Sequence, residues 1–355
     1  MLRNRLLAVP VASLLGLALL PPVANAAPSA APSSAMVVKS SAASRSKAAK
    51  VVRVATFNVR TARARSDRRN WTRRAPDVAR EILSRNPGVV ALQELGPGRA
   101  DGRKGTLKGH IRQTNSLTRA LRQRGGARYR LVRTTSYIRP GTRHGTQGAR
   151  ILYDSSRYRL LTRCSETTGK RNYSRSCSFD LPLARGDSRR QLRSAAYAEF
   201  ADRRSGKRFF VVSAHLDHRH SGNGRTEAKY NRLRARQAAT VANRVARLNR
   251  HHRPVIFGGD INSWQTDRSN YAPHRSLHAR GYRDAARARH RVNLSYASVN
   301  HFRVRVQRSR SGAGPRLDVV MVKGGRGVTR YENKVARVDR TRPSDHNMGV
   351  ADIRL

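Results

Sequence analysis

Four short polar clusters, each at the end of an apolar run, hold the residues best suited to chemistry. They are TFN with Asn58, VVALQE with Glu94, VIFGGDIN with Asp260 and Asn262, and SDHNMGV with Asp345 and His346. Together they offer hard oxygen ligands, amide donors and a histidine beside carboxylates. These are the parts required for metal-assisted attack on a phosphate ester. His346 is the best general acid–base candidate, because its pKa lies in the working range and carboxylates fix its tautomer and raise that pKa. Asp318 in RLDVVMV lies on a strand that can run beside it. A buried strand carboxylate needs a partner, and His346 is the natural one. Asp345 points elsewhere and can complete a metal site.

Each cluster also has a plainer reading. Glu94 at a buried strand end is a Mg²⁺ ligand or a salt-bridge partner. Asn58 terminates a strand through its own backbone or reaches a ligand. In GGDINS the two glycines allow close backbone approach, and Asp260 and Asn262 alternate onto one face of an extended segment. One can orient a water while the other donates to a phosphate oxygen; the alternative is an Asx-rich turn. Trp264 is either a stacking platform or a loop anchor. His215 ends FFVVSAH, where an imidazole can stabilise a phosphorane or sit as a satisfied core residue. The stretch HLDHRH adds His218 and His220, without a second cluster at zinc spacing. Asp217 in that stretch is placed to support the loop or contact substrate.

These clusters need strands to carry them. Val51 to Asn58, Val89 to Gln93, Tyr129 to Arg133, Ala149 to Asp154, Tyr158 to Arg163, Ser194 to Phe200, Arg208 to Ala214, Val255 to Gly258, Leu317 to Val322 and Val350 to Ile353 read as strands. Helices are expected over Trp71 to Ser84 with Asn70 as cap, over Gln113 to Arg124, and from Thr226 to about Asn249. The last should bury Leu233, Gln237, Val241, Val245 and Leu248, with arginines outside. Strands separated both by helices and by hairpin turns suit two mixed sheets packed face to face with helices outside. Polar residues after apolar strands gather at one sheet edge.

Composition sets the compartment and partners. Residues 1–26 read as a secretory signal: basic MLRNR, an apolar run, and a small-x-small site ending at Ala26. Residues 27–50, rich in Ala, Ser and Pro, read as a disordered leader, which leaves 51–355 as one domain. No later segment is long and apolar enough to span a bilayer, so a secreted, extracellular monomer is expected. Cys164 and Cys177 are the two cysteines, and export favours a disulfide between them. The formal charge is +53, or +51 once Arg3 and Arg5 leave with the signal. That field attracts nucleic acid and other polyanions. Only ten of the 74 basic residues are lysine, an arginine bias that a GC-rich genome also produces.

Taken together, TFN, QE, H-x-D, GDIN, LD and SDH in this order resemble the endonuclease/exonuclease/phosphatase superfamily over residues 51–355. The resemblance implies an α/β four-layer sandwich and Mg²⁺-dependent attack of water on a phosphate ester, with Mn²⁺ or Ca²⁺ as substitutes. By matching motifs, Glu94 and Asn58 fall at the metal site. Asp260 and Asn262 match the GD-x-N pair, and Asp318 with His346 the Asp–His dyad. His215 resembles the histidine that bonds the scissile phosphate in nucleases and sphingomyelinases. HLDH departs from the H-x-x-P of deoxyribonuclease I-like members, and Met348 replaces a small residue after SDH-N. The expected function is a secreted nuclease acting on DNA; the alternatives are a sphingomyelinase-type lipid phosphodiesterase, a phosphatase on a soluble ester and a non-enzymatic polyanion binder.

Overall fold

The computed structural model describes residues 51–63, 70–103, 108–132, 148–164, 177–188, 191–265, 271–303, 305–335 and 342–355. The expected signal and leader lie outside the described residues. In chain order the first half runs β1 (Val51–Asn58), α1 (Trp71–Arg85), β2 (Val89–Gln93), α2 (Gln113–Arg122), β3 (Tyr129–Leu131), β4 (Arg150–Asp154), β5 (Tyr158–Leu160), β6 (Ser178–Asp180), β7 (Ser194–Asp202) and β8 (Arg208–His215). Then follow α3 (Gly224–Leu248), β9 (Val255–Asp260), α4 (Ala272–His278), β10 (Arg283–Asp284), β11 (His290–Val292), β12 (Asp318–Lys323), β13 (Gly327–Lys334) and β14 (Met348–Arg354).

The strands form two mixed sheets. The first has the order β11-β13-β14-β1-β2-β4-β3; the second is β10-β12-β9-β8-β7-β5, with β6 also on β7. Period-two alternation decides which side chains face which layer. Val52 and Val54 of β1 and Phe209 and Val211 of β8 meet in the core between the sheets, with Ile256 and Val320. Ala55 and Phe57 point the other way, against Val78 and Ile82 of α1 and Leu117 of α2. Val212, Phe257 and Met321 pack against Val241 and Val245 of α3. The result is helix, sheet, sheet, helix, the four-layer α/β sandwich expected.

Local chemistry explains the boundaries. Asn70 caps α1, accepting from the Arg73 N–H at 3.2 Å, and Asn86 ends it in the left-handed region at φ 46°. The helix extends through Pro76, whose missing N–H falls within its second turn. α3 starts two residues earlier than expected because Asn223 accepts from the Thr226 N–H at 3.1 Å. Two details of its burial differ from expectation. Leu248 is the last residue of the helix and is 36% exposed, whereas Arg234 is fully buried, its Nη2 donating to Glu227 at 2.6 Å. Cys164 and Cys177 are joined by a disulfide with a Cα–Cα distance of 5.4 Å. Among the described residues no helix is long and apolar enough to cross a membrane.

Candidate functional site

The parallel pairs β1/β2 and β8/β9 all end at one edge of the sandwich, and the antiparallel β12 begins there. Register brings His215, Asp260 and Asp318 side by side on three adjacent strands. The two sheets close on each other just beneath. A Cβ on Gly258 would lie 2.6 Å from that of Ala91, so the first glycine of GGD permits the approach. A polar seam lies at the same level: the Ser213 hydroxyl donates to Leu92 O at 2.9 Å and accepts from the Gln93 amide at 3.2 Å.

Asn58 stands between two carboxylates. Its Nδ2 donates to Glu94 Oε1 at 3.1 Å and to Asp260 Oδ2 at 3.0 Å. Its Oδ1 accepts from the Arg60 N–H. Glu94 adopts φ 58°, just beyond the end of β2, and its second oxygen accepts from the Thr61 N–H at 2.9 Å. Asn262, at φ 47°, gives its backbone N–H to Asp260 Oδ1 at 3.0 Å. Its side-chain amide donates to Leu216 O, which fastens the GDIN loop to the end of β8.

The SDH segment is held from two sides. Ser344 Oγ donates to Asn58 O at 2.6 Å, and buried Arg74 of α1 donates to Val59 O and Pro343 O. On the other side Asn300 N–H bonds Asp345 O at 2.7 Å and Asn347 N–H bonds Ser298 O at 2.7 Å. This places His346 Nδ1 2.8 Å from Asp318 Oδ2 and its Nε2 3.9 Å from Asp260 Oδ2. Asp345 turns away, as expected, with Oδ2 3.2 Å from the Arg60 guanidinium.

The electrostatics divide the two site histidines. Burial alone would lower the His346 pKa, but the charge and hydrogen bond of Asp318, with Asp345 and Asp260 beyond, carry it well above the usual histidine value. His215, whose Nε2 is 3.5 Å from Asp260 Oδ2, is pushed well below that value by burial, then by Arg193, His218 and His346. Asp260 is driven up to about 7 by burial and by Asp318; His346, Asn58 and the Asn262 N–H only partly offset this.

Asp260, Asp318 and His346 place one ligand atom each within 4.8 Å of one another, all buried. Asp318 Oδ1 is buried with no hydrogen-bond partner. Two close carboxylates, one orphaned oxygen and one carboxyl pushed towards protonation fit a hard divalent cation. Glu94 adjoins this cluster through the Asn58 bridge. The structure thus gathers Asn58, Glu94, His215, Asp260, Asn262, Asp318 and His346 at one point, with Asp345 at its rim.

Two candidates for substrate contact lie in the adjoining loops. Asp217 is buried and bound by Arg219 through bonds of 2.8 to 3.1 Å, while its N–H is held by Gln237 of α3 at 2.8 Å. It braces the loop. Trp264 is half-buried just after the GDIN turn. His220 faces Glu227 at 3.4 Å. Arg193 was not anticipated. It is buried beside the site, with Nη1 3.5 Å from His215 Nδ1 and Nη2 2.6 Å from His218 Nδ1. Its only sequence signal is its place immediately before the apolar β7.

The sequence matches the Endonuclease/Exonuclease/phosphatase family over residues 55–346. The chain belongs to this family. Members are metal-dependent phosphoric ester hydrolases, and this protein is one. A search of curated proteins found no match. Solved structures share the fold. An endonuclease/exonuclease/phosphatase from Bacteroides vulgatus superposes with TM-score 0.60 at 20% identity, covering 86% of this chain and 99% of that one. A mannosyl-6-phosphatase from Bacteroides thetaiotaomicron VPI-5482 gives 0.56 at 19%, covering 84% and 98%. D. rerio TDP2 complexed with single strand DNA product gives 0.54 at 16%, covering 86% and 99%.

Proposed function

We propose that this family member is an exported Mg²⁺-dependent phosphodiesterase whose substrate is nucleic acid, DNA first. The observation that carries the chemistry is the buried Asp260–Asp318–His346 cluster bordered by Asn58, Glu94 and His215. Glu94 and Asn58 border the Asp260–Asp318 carboxylates and with them would hold the cation, with Asp345 at the rim; when bound it would supply charge neutralisation on the phosphate oxygens. Asp260 is poised to take a proton from the attacking water, because its carboxyl is pushed up to about 7. His346, cationic beside Asp318, gives a charge-assisted hydrogen bond to a phosphate or leaving-group oxygen. His215 is neutral and donates without competing for the proton. Asp260, Asp318, His346 and His215 are all buried, which excludes bulk water from these contacts.

The substrate class rests on charge. A +53 chain with 21 acids, five of them (Glu94, Asp217, Asp260, Asp318 and Asp345) in the site and its loops, attracts a polyphosphate. The likeness to a mannosyl-6-phosphatase supports a second reading, a phosphatase on a soluble ester. A panel of plasmid DNA, RNA, sphingomyelin and p-nitrophenyl phosphate esters, each with Mg²⁺ or EDTA, separates these. Cleavage of plasmid or RNA abolished by EDTA is expected. Intact nucleic acid with hydrolysis of a monoester or a choline phospholipid would replace the nuclease reading. Export is tested by intact mass of protein from culture supernatant: a chain starting at Ala27 is expected, and a Met1 start would refute processing.

A further inference from the structure

His218 takes no part in the chemistry above, yet it makes a 2.6 Å contact with Arg193, which also reaches His215 at 3.5 Å. A guanidinium has only donors. The Nδ1 atoms facing it are therefore bare, and each imidazole carries its hydrogen on Nε2. For His215 this directs an N–H towards Asp260 and the site. His218 Nε2 has no partner among the described residues, and the ring is exposed. Arg193 is thus gripped from outside by one histidine and bears on another inside.

We propose that His218 is a positioning residue: by accepting a hydrogen bond from Arg193 it holds the guanidinium against His215 Nδ1, and so locks His215 as the Nε2–H donor that meets the phosphate. The arrangement mirrors the other side of the site. There Asp318 accepts from His346 Nδ1–H and makes that ring a cation; here Arg193 donates to Nδ1 and keeps the ring neutral. The lowered pKa of His215, caused by burial and then by Arg193, agrees with this. The effect on turnover rests on the phosphodiesterase reading; the tautomer does not.

Two variants at this exposed position test it. His218→Asn keeps an acceptor near the Nδ1 position; His218→Phe keeps a ring and removes the acceptor. In the ¹⁵N-labelled full chain without metal at pH 8, long-range ¹H–¹⁵N correlation should show His215 as one Nε2–H tautomer in the wild type and in His218→Asn. In His218→Phe the tautomers should mix. With Mg²⁺ and bis(p-nitrophenyl) phosphate, kcat should fall about 10- to 100-fold in His218→Phe, the loss of a hydrogen bond to a charged group, with KM little changed. His218→Asn should restore most of it. Unchanged His215 signals in His218→Phe, or equal losses in both variants, would overturn the proposal. If the wild type hydrolyses no phosphate ester while the tautomer responds as stated, the lock stands and the proposed function falls.

Discussion

Asp260 and Asp284 are buried carboxylates on the same sheet, and their surroundings drive them in opposite directions. Asp284 lies outside the site, on β10, opposite Met321 of β12. Burial opposes its ionisation, but Arg316 at 3.0 Å, His274 at 3.2 Å and the Ala286 N–H at 2.9 Å more than compensate, holding it well below the usual carboxylate range. Asp260 has an amide and one N–H, two histidines at 3.5 and 3.9 Å, and a second carboxylate, Asp318, as neighbour. It is pushed up to about 7. One end of the sheet completes its charges internally; the other leaves negative charge for something to come. Residual imbalance in a buried cluster marks a working site.

The largest effect should come from the unbalanced end. His346→Ala should lower turnover by ~10²–10⁴-fold, the usual contribution of an acid–base residue. Asp318 acts through His346, so Asp318→Ala added to it should cost little more. Steady-state kinetics on the best substrate of the panel, for both singles and the double, measures this. Additive losses would dissolve the pair and with it half of the comparison.

Next in size is the balanced end. Asp284→Asn removes the partner of the buried Arg316 guanidinium and leaves that charge uncompensated. The expected loss is about 3–5 kcal/mol of unfolding free energy, read from urea denaturation. Turnover per folded molecule should not change. A loss below about 1 kcal/mol would show that burial at Asp284 is less complete in solution, since exposed pairs contribute that little.

The two ends differed as much in how readily the sequence disclosed them. The site acids stand out because acids are rare here and follow apolar runs that burial demands, as in β2 and β9. Their order brings them to one edge once the strands are placed. Asp284, His274 and Arg316 follow no such run and sit 10 and 32 residues apart, so only tertiary folding assembles them. Arg193 was hidden by number, one arginine among many. β13 carries little signal, because GVTRYENK offers only Val328 and Tyr331 as large apolar residues and a bulge between Val328 and Arg330 breaks its period. β10, with two residues, is below any periodic signal. Strand ends fall within one to three residues of expectation, the largest difference being at β5, where pairing with β7 stops at Leu160 rather than Arg163.

The smallest effect is the most direct test of the comparison, because its sign is opposite to that at Asp284. Asp260→Asn should abolish turnover yet stabilise the EDTA-treated protein. The folded pKa of Asp260 is about 7 against an ordinary 3.8. Below about pH 4 both folded and unfolded chains hold the proton, and the group contributes nothing. Between there and pH 7 the unfolded chain ionises more readily, so the wild type loses stability as pH rises. Above pH 7 both states are ionised and the loss is constant. Asparagine never ionises, so the variant's advantage should appear above pH 4, grow to pH 7 and then level. Mg²⁺ should then stabilise the wild type more than the variant, because only the wild type keeps the full carboxylate cluster. Urea midpoints measured from pH 4 to 8, with and without Mg²⁺, give all of these. A variant less stable than the metal-free wild type at pH 8 would mean that Asp260 is as well compensated as Asp284.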